Sequence, residues 1–343
     1  MPVLVAMSGG VDSSVAAALL VEAGHDVTGV TLKLWGGESD SGCCSVGDVE
    51  DARRVAAQLD IPHYVFNFAD EFDAKVVGPY ADAYASGRTP NPCVECNRSL
   101  KFGRLLDRAD ALGFDAVATG HHARRRGAEG AYRLVRGADG AKDQSYVLYM
   151  LGQRELARVL LPVGELTKSE VRAHAARLGL RTAAKPESMD VCFISRHEDR
   201  EDFLASRVAA RPGALVDTAG RVVGRHDGVA RFTVGQRRGL GVATGERRYV
   251  LDVDAATATV TIGDRVDLLR DDVRVDRLSF VAGSPPPVGQ ELLVQVRAHG
   301  VPVAGTLNGA IVRFVDPQPR VAPGQVVALY DGDTLLGGGI AAA

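Results

Sequence analysis

No apolar run in the 343 residues is long enough to cross a bilayer, and Met1-Pro2-Val3 is not a basic n-region. Neither a spanning helix nor a secretory leader is therefore expected, and the protein is expected in the cytoplasm, with no membrane partner. Cysteine is scarce and odd in number: Cys43, Cys44, Cys93, Cys96 and Cys192. That usage argues against a disulfide framework and favours thiol chemistry or metal binding. No second C-x-x-C and no paired-histidine motif completes a zinc site around Cys93-Val94-Glu95-Cys96. An excess of positive charge is also missing. With a net charge of −3, any nucleic-acid site must be a local basic patch. No internal repeat or low-complexity tract is evident. What remains is ordinary for a globular chain, with 46% hydrophobic and 24% charged residues, and its length exceeds one core, so two or three domains are expected.

The richest stretch is Ser8-Gly9-Gly10-Val11-Asp12-Ser13-Ser14, between the apolar run Val3 to Ala6 and a helix-like segment, Val15 to Ala23. It lacks the lysine of G-x-x-x-x-G-K-[ST] and the spacing of G-x-G-x-x-G. A buried strand ending at two glycines turns sharply enough for successive N–H groups and a helix start to converge on one anion. Ser13 and Ser14 are expected to cap that helix, and Asp12 to hold Mg2+. The plain structural alternative is a glycine turn joining any strand to any helix.

Short β-branched runs alternate with helical patterns through the first half, which predicts an open parallel sheet. Its strands are Val27 to Leu32, Tyr64 to Phe68 and Phe114 to Ala118, with a helix over 48–59. Ligands of such sheets sit at the carboxyl ends of the strands, where Leu32, the glycine loop and Thr119-Gly120-His121-His122 all fall. A proline-broken loop, Gly87 to Arg98, precedes a helix predicted over Ser99 to Leu112. There C-x-x-C at a helix start suits thiolates, because the dipole lowers a thiol pKa from about 8.5. Ala123 to Arg136 reads as a hairpin carrying Arg124-Arg125-Arg126, and Lys142-Asp143-Gln144 follows, suited to phosphate and base edges or simply to a solvated surface. Thr167 with Glu170 forms a capping box. Cys192, before an apolar strand, reads on its own as a buried structural thiol. One helix over 196–207 then leads into short alternating strands. Phe232 to Gly241 reads as a basic strand and turn, and a last module starting near Asp271, with Ser284 to Pro287 as a loop inside it, closes as a small barrel.

The motif SGGVDS resembles the signature of the PP-loop ATP pyrophosphatases, which cleave ATP between its α- and β-phosphates. Together with Leu32-Lys33-Leu34-Trp35, the NPxxxCN loop, ATGH, KDQSY, VCFI, VGQRRGLG and Pro323-Gly324-Gln325, the chain resembles the tRNA-specific 2-thiouridylases. The resemblance implies an α/β fold with a PP-loop (Rossmann-like, adenine nucleotide alpha hydrolase-like) parallel sheet domain over 1–194. A small β-rich central domain over 195–268 and a C-terminal tRNA-binding β-barrel over 269–343 follow. It implies that Ala6, Met7, Ser8, Gly9, Gly10, Val11, Asp12 and Ser13 bind ATP phosphates with Mg2+, and that Leu32 and Gly120 contact the adenosine. Asn91, Pro92 and Cys93 would face the target base. His121, Lys142, Asp143, Gln144, Arg297, Ala298 and Gln325 would touch tRNA. Cys96 is the implied nucleophile and Cys192 the implied persulfide carrier, with a transient disulfide between them. The implied partners are the glutamate, lysine and glutamine tRNAs, and a cysteine desulfurase or sulfur relay protein as donor. Two departures stand out: Cys93 replaces an aspartate common in that family, and Ala298-His299 replaces an aromatic residue and a second arginine. Two rival readings remain: another PP-loop adenylating enzyme, or an RNA-binding regulator in which Cys93, Cys96 and Cys192 ligate an iron–sulfur cluster, and the same cluster stays open as a cofactor of the thiolation itself.

Overall fold

In the computed structural model, residues 1–34, 45–186, 191–194, 199–242, 245–298 and 300–343 are described. Trp35, Cys43, Cys44, residues 187–190, Arg196 and His299 lie outside them. Strands β1 (Pro2–Ala6), β2 (Asp26–Lys33), β3 (His63–Asn67) and β4 (Ala116–Ala118) are followed by the hairpin β5 (Ala123–Arg126) and β6 (Arg133–Arg136), then by β7 (Val159–Leu160). Five of them form a parallel sheet in the order β3-β2-β1-β4-β7. Alternation along β1 explains its two faces. Val3 and Val5 pack with α1 (Val11–Glu22), α2 (Val46–Gln58) and the helix Lys168–Arg177, whereas Leu4 meets Phe72, Tyr80 and Leu105 on the other side. Strand order reverses direction at β1, so the crevice between the carboxyl ends of β1 and β4 is the topological switch point.

Four strands, β8 (Gly213–Val216), β9 (Val222–His226), β10 (Tyr249–Asp254) and β11 (Thr259–Gly263), make the central sheet, ordered β10-β11-β8-β9. The expected strand over Phe232 to Gly241 does not form. A short helical turn ends at Arg231 and Phe232 is buried in the small core beneath this sheet. The last six strands are β12 (Leu269–Phe280), β13 (Glu291–Gln295), β14 (Val303–Asn308), β15 (Ile311–Pro319), β16 (Val326–Asp331) and β17 (Thr334–Ala341). Pairing of β12 with both β15 and β17 closes them into a barrel, as expected for this stretch. The basic hairpin departs from its expected setting. β6 pairs with β17, so residues of the first half extend the barrel sheet. Between 199 and 207 the helix is the shorter Arg200–Ala205. No helix among the described residues is long and apolar enough to cross a membrane.

Candidate active site

The glycine loop begins where β1 ends, and α1 starts at Val11 with Gly10 as its cap. The serines are not the caps they were expected to be. Both lie inside the first turn, and their hydroxyls donate back to the Gly10 carbonyl, at 3.1 Å from Ser13 and 2.8 Å from Ser14. The reason is that Gly10 already has the extended backbone a cap requires, which leaves the helix-start N–H groups directed at the crevice. Gly9 has φ of +72°, and a Cβ there would collide with the Asp48 carbonyl at the start of α2. Gly120, after β4, is equally tight: an added Cβ would lie 2.6 Å from the Ser13 nitrogen. Gly9→Ala is therefore expected to weaken ATP binding by about tenfold or more and to cost roughly 1–3 kcal/mol of stability. ATP titration and a thermal melt measure the two effects.

Asp12 points into the crevice and is heavily engaged. Lys168 Nζ donates to both carboxylate oxygens, at 2.8 and 2.7 Å, and His122 Nε2 lies 3.1 Å from Oδ1. Burial opposes ionisation of Asp12, yet the bonds from His122 and Lys168 outweigh it and hold its pKa below 3.8. The expected Mg2+ site thus carries a lysine on its carboxylate. Asp12, the serine hydroxyls and a triphosphate still form a hard oxygen donor set that fits Mg2+, provided Lys168 yields the carboxylate. A second lysine pins the loop from behind: Lys185 Nζ donates to Gly9 O at 2.9 Å, Asp48 at 2.6 Å and Asp51 at 2.7 Å. Burial alone would depress the Lys185 pKa, but these two carboxylates raise it. Neither lysine was singled out from the sequence. For Lys168 a signal existed, since a cation in the first turn after a Thr cap opposes the helix dipole and needs a local reason.

The helix behind the proline loop starts earlier than expected. Asn91 caps it, accepting from the Cys93 nitrogen at 3.0 Å and donating to the Tyr146 hydroxyl at 2.8 Å, and Pro92 occupies its first turn. Proline belongs at such a start, because its missing N–H has no acceptor there anyway. Cys93 consequently sits in the first turn, and Cys96 begins a π-helical stretch, Cys96–Arg104, that continues into Leu105–Ala111. The dipole thus acts on Cys93 rather than on Cys96.

These parts meet in one cavity of about 270 Å³ at the switch point. Ala6, Met7, Ser8, Asp12, Ser13, Leu32 and Gly120 line it, and so do Pro92, Cys93, Cys96, Cys192, His121 and Gln144. Cys96 is 7% exposed, while Cys93 and Cys192 are half-buried. Phe72 and Phe193 supply apolar wall, their rings 5.8 Å apart. Among the described residues, no three His, Cys, Asp or Glu side chains are grouped to hold a metal ion.

The other sequence-predicted contacts are dispersed. Gly9, Gly10 and Val11 are part of the loop and helix start, and Asn91 sets the cysteine helix. Asp143 is buried, bonded to Arg136 at 2.9 Å, the Gly137 nitrogen at 3.0 Å and the Ser145 hydroxyl at 2.8 Å. It fastens the hairpin rather than facing outward. Arg136 continues to Gln295 at 2.7 Å, and Gln295 donates to the carbonyls of Arg297 and Ala298, so the Lys142 to Gln144 and Arg297-Ala298 segments are tied together. Exposed Arg297 and half-buried Gln325 line a second cavity of about 550 Å³ between the central sheet and the barrel. Gln325 also donates to Thr89 O at 2.7 Å, and Thr89 N donates to Pro323 O at 2.6 Å. With Thr89 bonded to Thr233 at 3.2 Å, the proline loop is held by both β modules.

Comparisons with known proteins agree with this layout. Residues 1–196 match a family described as tRNA methyl transferase HUP domain, residues 201–264 a tRNA methyl transferase PRC-barrel domain, and residues 270–341 an aminomethyltransferase beta-barrel domain. The tRNA-specific 2-thiouridylase MnmA of Roseiflexus castenholzii is 51% identical, over 98% of this chain and 98% of the relative. The one from Moorella thermoacetica is 46% identical over 98% of each. The chain belongs to the tRNA-specific 2-thiouridylase family. Its relatives in that family extend over the barrel as well as the α/β half, as the Geotalea uraniireducens protein also does at 47% identity, covering 98% of this chain and 94% of that one.

Proposed function

We infer that the protein is an ATP-dependent tRNA sulfurtransferase that converts the anticodon wobble uridine to 2-thiouridine. The observation that carries the reading is the single cavity shared by the phosphate loop and three cysteines. Another adenylating enzyme built on this loop would have no use for those thiols. In this reading residues 1–194 hold ATP and the chemistry, residues 195–268 form the central module, and the barrel over 269–343 embraces the RNA. The acceptors are the glutamate, lysine and glutamine tRNAs, and a cysteine desulfurase or relay protein supplies sulfur.

The chemistry follows from the leaving group. The 2-oxygen of uracil departs poorly by itself, so it first attacks the α-phosphorus; the bond to pyrophosphate breaks and pyrophosphate takes the electron pair, while the N3 proton goes to solvent. Mg2+ held by Asp12 and the phosphate oxygens would neutralise phosphate charge, which eases attack on phosphorus and departure of pyrophosphate. Helix-start N–H groups and Ser13 orient the phosphates, and Asp12 organises the cations beside them. A persulfide on Cys192 then attacks C2 and expels AMP. Cys96 thiolate attacks Cys192 Sγ, the S–S bond of the persulfide breaks, and its electrons stay with the sulfur on the base. The resulting Cys96–Cys192 disulfide is reset by cellular thiols. Reaching the cavity requires the wobble base to be splayed from its loop.

Incubation with ATP, a sulfur source and unmodified tRNA, followed by nucleoside mass spectrometry, is expected to show 2-thiouridine. A product carrying a different modification would overturn the reading. Affinity for tRNA is expected to fall steeply between about 50 and 200 mM salt, because phosphate contacts release counterions whatever the net charge of the protein. A flat salt response in filter binding would count against an RNA substrate.

A further inference from the structure

We propose that Lys101 is a catalytic residue of adenylation, its ammonium binding the α-phosphate of ATP and then the AMP that departs. The proposal rests on the sulfurtransferase reading above. Lys101 is half-buried and lines the same cavity as Asp12, Ser13 and the three cysteines. Its placement follows from the irregular helix. In a regular α-helix, residues 96 and 101 would be separated by roughly 140° around the axis. The π-helical stretch Cys96–Arg104 brings residues five apart onto one face, so Cys96 and Lys101 both reach the cavity. Such π turns cost helix geometry and recur at functional sites.

Charge singles out this lysine. Of the titratable groups lining the cavity, namely Asp12, Cys93, Cys96, Lys101, His121 and Cys192, two are basic. Burial, then the Lys101 charge, drive the His121 pKa well below 6.5, so His121 is neutral at physiological pH. Its Nδ1 pairs with the Thr119 hydroxyl at 2.8 Å. Lys101 is therefore the cation of this wall. When the uracil oxygen bonds to the α-phosphorus and pyrophosphate leaves, negative charge builds on the α-phosphoryl oxygens. A positive charge on the same cavity wall as Leu32, Leu34 and Phe193, in place before the reaction, stabilises that charge more than mobile solvent would. The same contact eases the later loss of AMP from C2.

The test compares Lys101→Met and Lys101→Arg with the wild type, using ATP and unmodified tRNA. Single-turnover release of AMP and pyrophosphate, the KM for ATP, tRNA affinity and the alkylation rates of the cavity thiols are read together. Lys101→Met is expected to lower AMP release by about 10²–10³-fold, the range for loss of one transition-state donor, with KM changed much less. The arginine variant is expected to recover part of the rate, and tRNA affinity to stay unchanged. Wild-type AMP release by Lys101→Met overturns the proposal. So does a variant that adenylates normally but fails only in sulfur transfer or in thiol alkylation, because that places Lys101 on the thiols. A wild-type protein that releases no AMP with tRNA overturns the functional reading itself, and the wild-type arm keeps that failure distinct.

Discussion

Asp12→Ala is expected to cut tRNA-dependent release of AMP and pyrophosphate by at least about 10³-fold, since an electrostatic anchor in a water-poor site carries much of a transition state. Asp12 is the carboxylate that lines the cavity, and it organises Lys168 and His122 around itself. Removing it leaves an ammonium and an imidazole without their acceptor, at a cost of roughly 1–3 kcal/mol in stability. The fold survives that loss, so circular dichroism is expected to match the wild type while AMP release disappears. Undiminished AMP release would sink the phosphate-loop assignment. Acidity does not imitate the variant near neutrality. Because the folded pKa of Asp12 is depressed, its ion pair contributes fully above 3.8 and is lost only as pH falls through the lower folded value.

The second large effect separates sulfur transfer from adenylation. Cys96→Ser and Cys192→Ser are each expected to reduce 2-thiouridine to background while AMP release stays within a few-fold of the wild type. A hydroxyl at either position cannot carry a persulfide or close the disulfide. Both side chains share the cavity wall with the phosphate loop, so an outcome in which adenylation falls equally would show that they hold the site's shape instead. Cys93→Asp is the companion variant, placing a carboxylate in the first helical turn. It is expected to keep thiolation, because an acidic group is favourable at that end of a helix. Iron measured on the same anaerobic protein decides the remaining question: activity that tracks iron would overturn the persulfide route.

The parallel sheet, the closing barrel and the Thr167 capping box were legible in the sequence because each rests on local periodicity or a short polar signature. The ends of the elements were less so. Ser13 and Ser14 are good caps by type, but Gly10 already had the required backbone. The helix of Cys93 and Cys96 was placed several residues late because its cap, Asn91, stands inside a proline-rich run that reads as loop. Of the site, the glycine loop and the cysteines were visible as motifs. Lys101, Lys168 and Lys185 were not, since a lysine becomes part of a site only through contacts that span the chain, 156 residues apart for Lys168 with Asp12. The π-helical stretch that turns Lys101 inward has no marker in composition or spacing. Asp143 shows the opposite failure: a charged residue in a promising motif is consumed by the interior.

The pairing of β6 with β17 constrains how this chain matures on the ribosome. Leu134 and Val135 wait for Leu335 and Thr334, which emerge roughly 200 residues later. At ~5–20 residues per second that is a delay of some tens of seconds. Throughout it, one edge of the basic hairpin shows unpaired backbone groups, an invitation to strand addition by other chains. Arg133 and Arg136 of β6 put charge on that edge, a common safeguard against aggregation. A product truncated before Thr334 would keep that edge permanently and would never seal the barrel, which also needs β17 against β12. Loss of the last ten residues is thus felt in the first half of the protein, where nascent-chain quality control would meet an open strand.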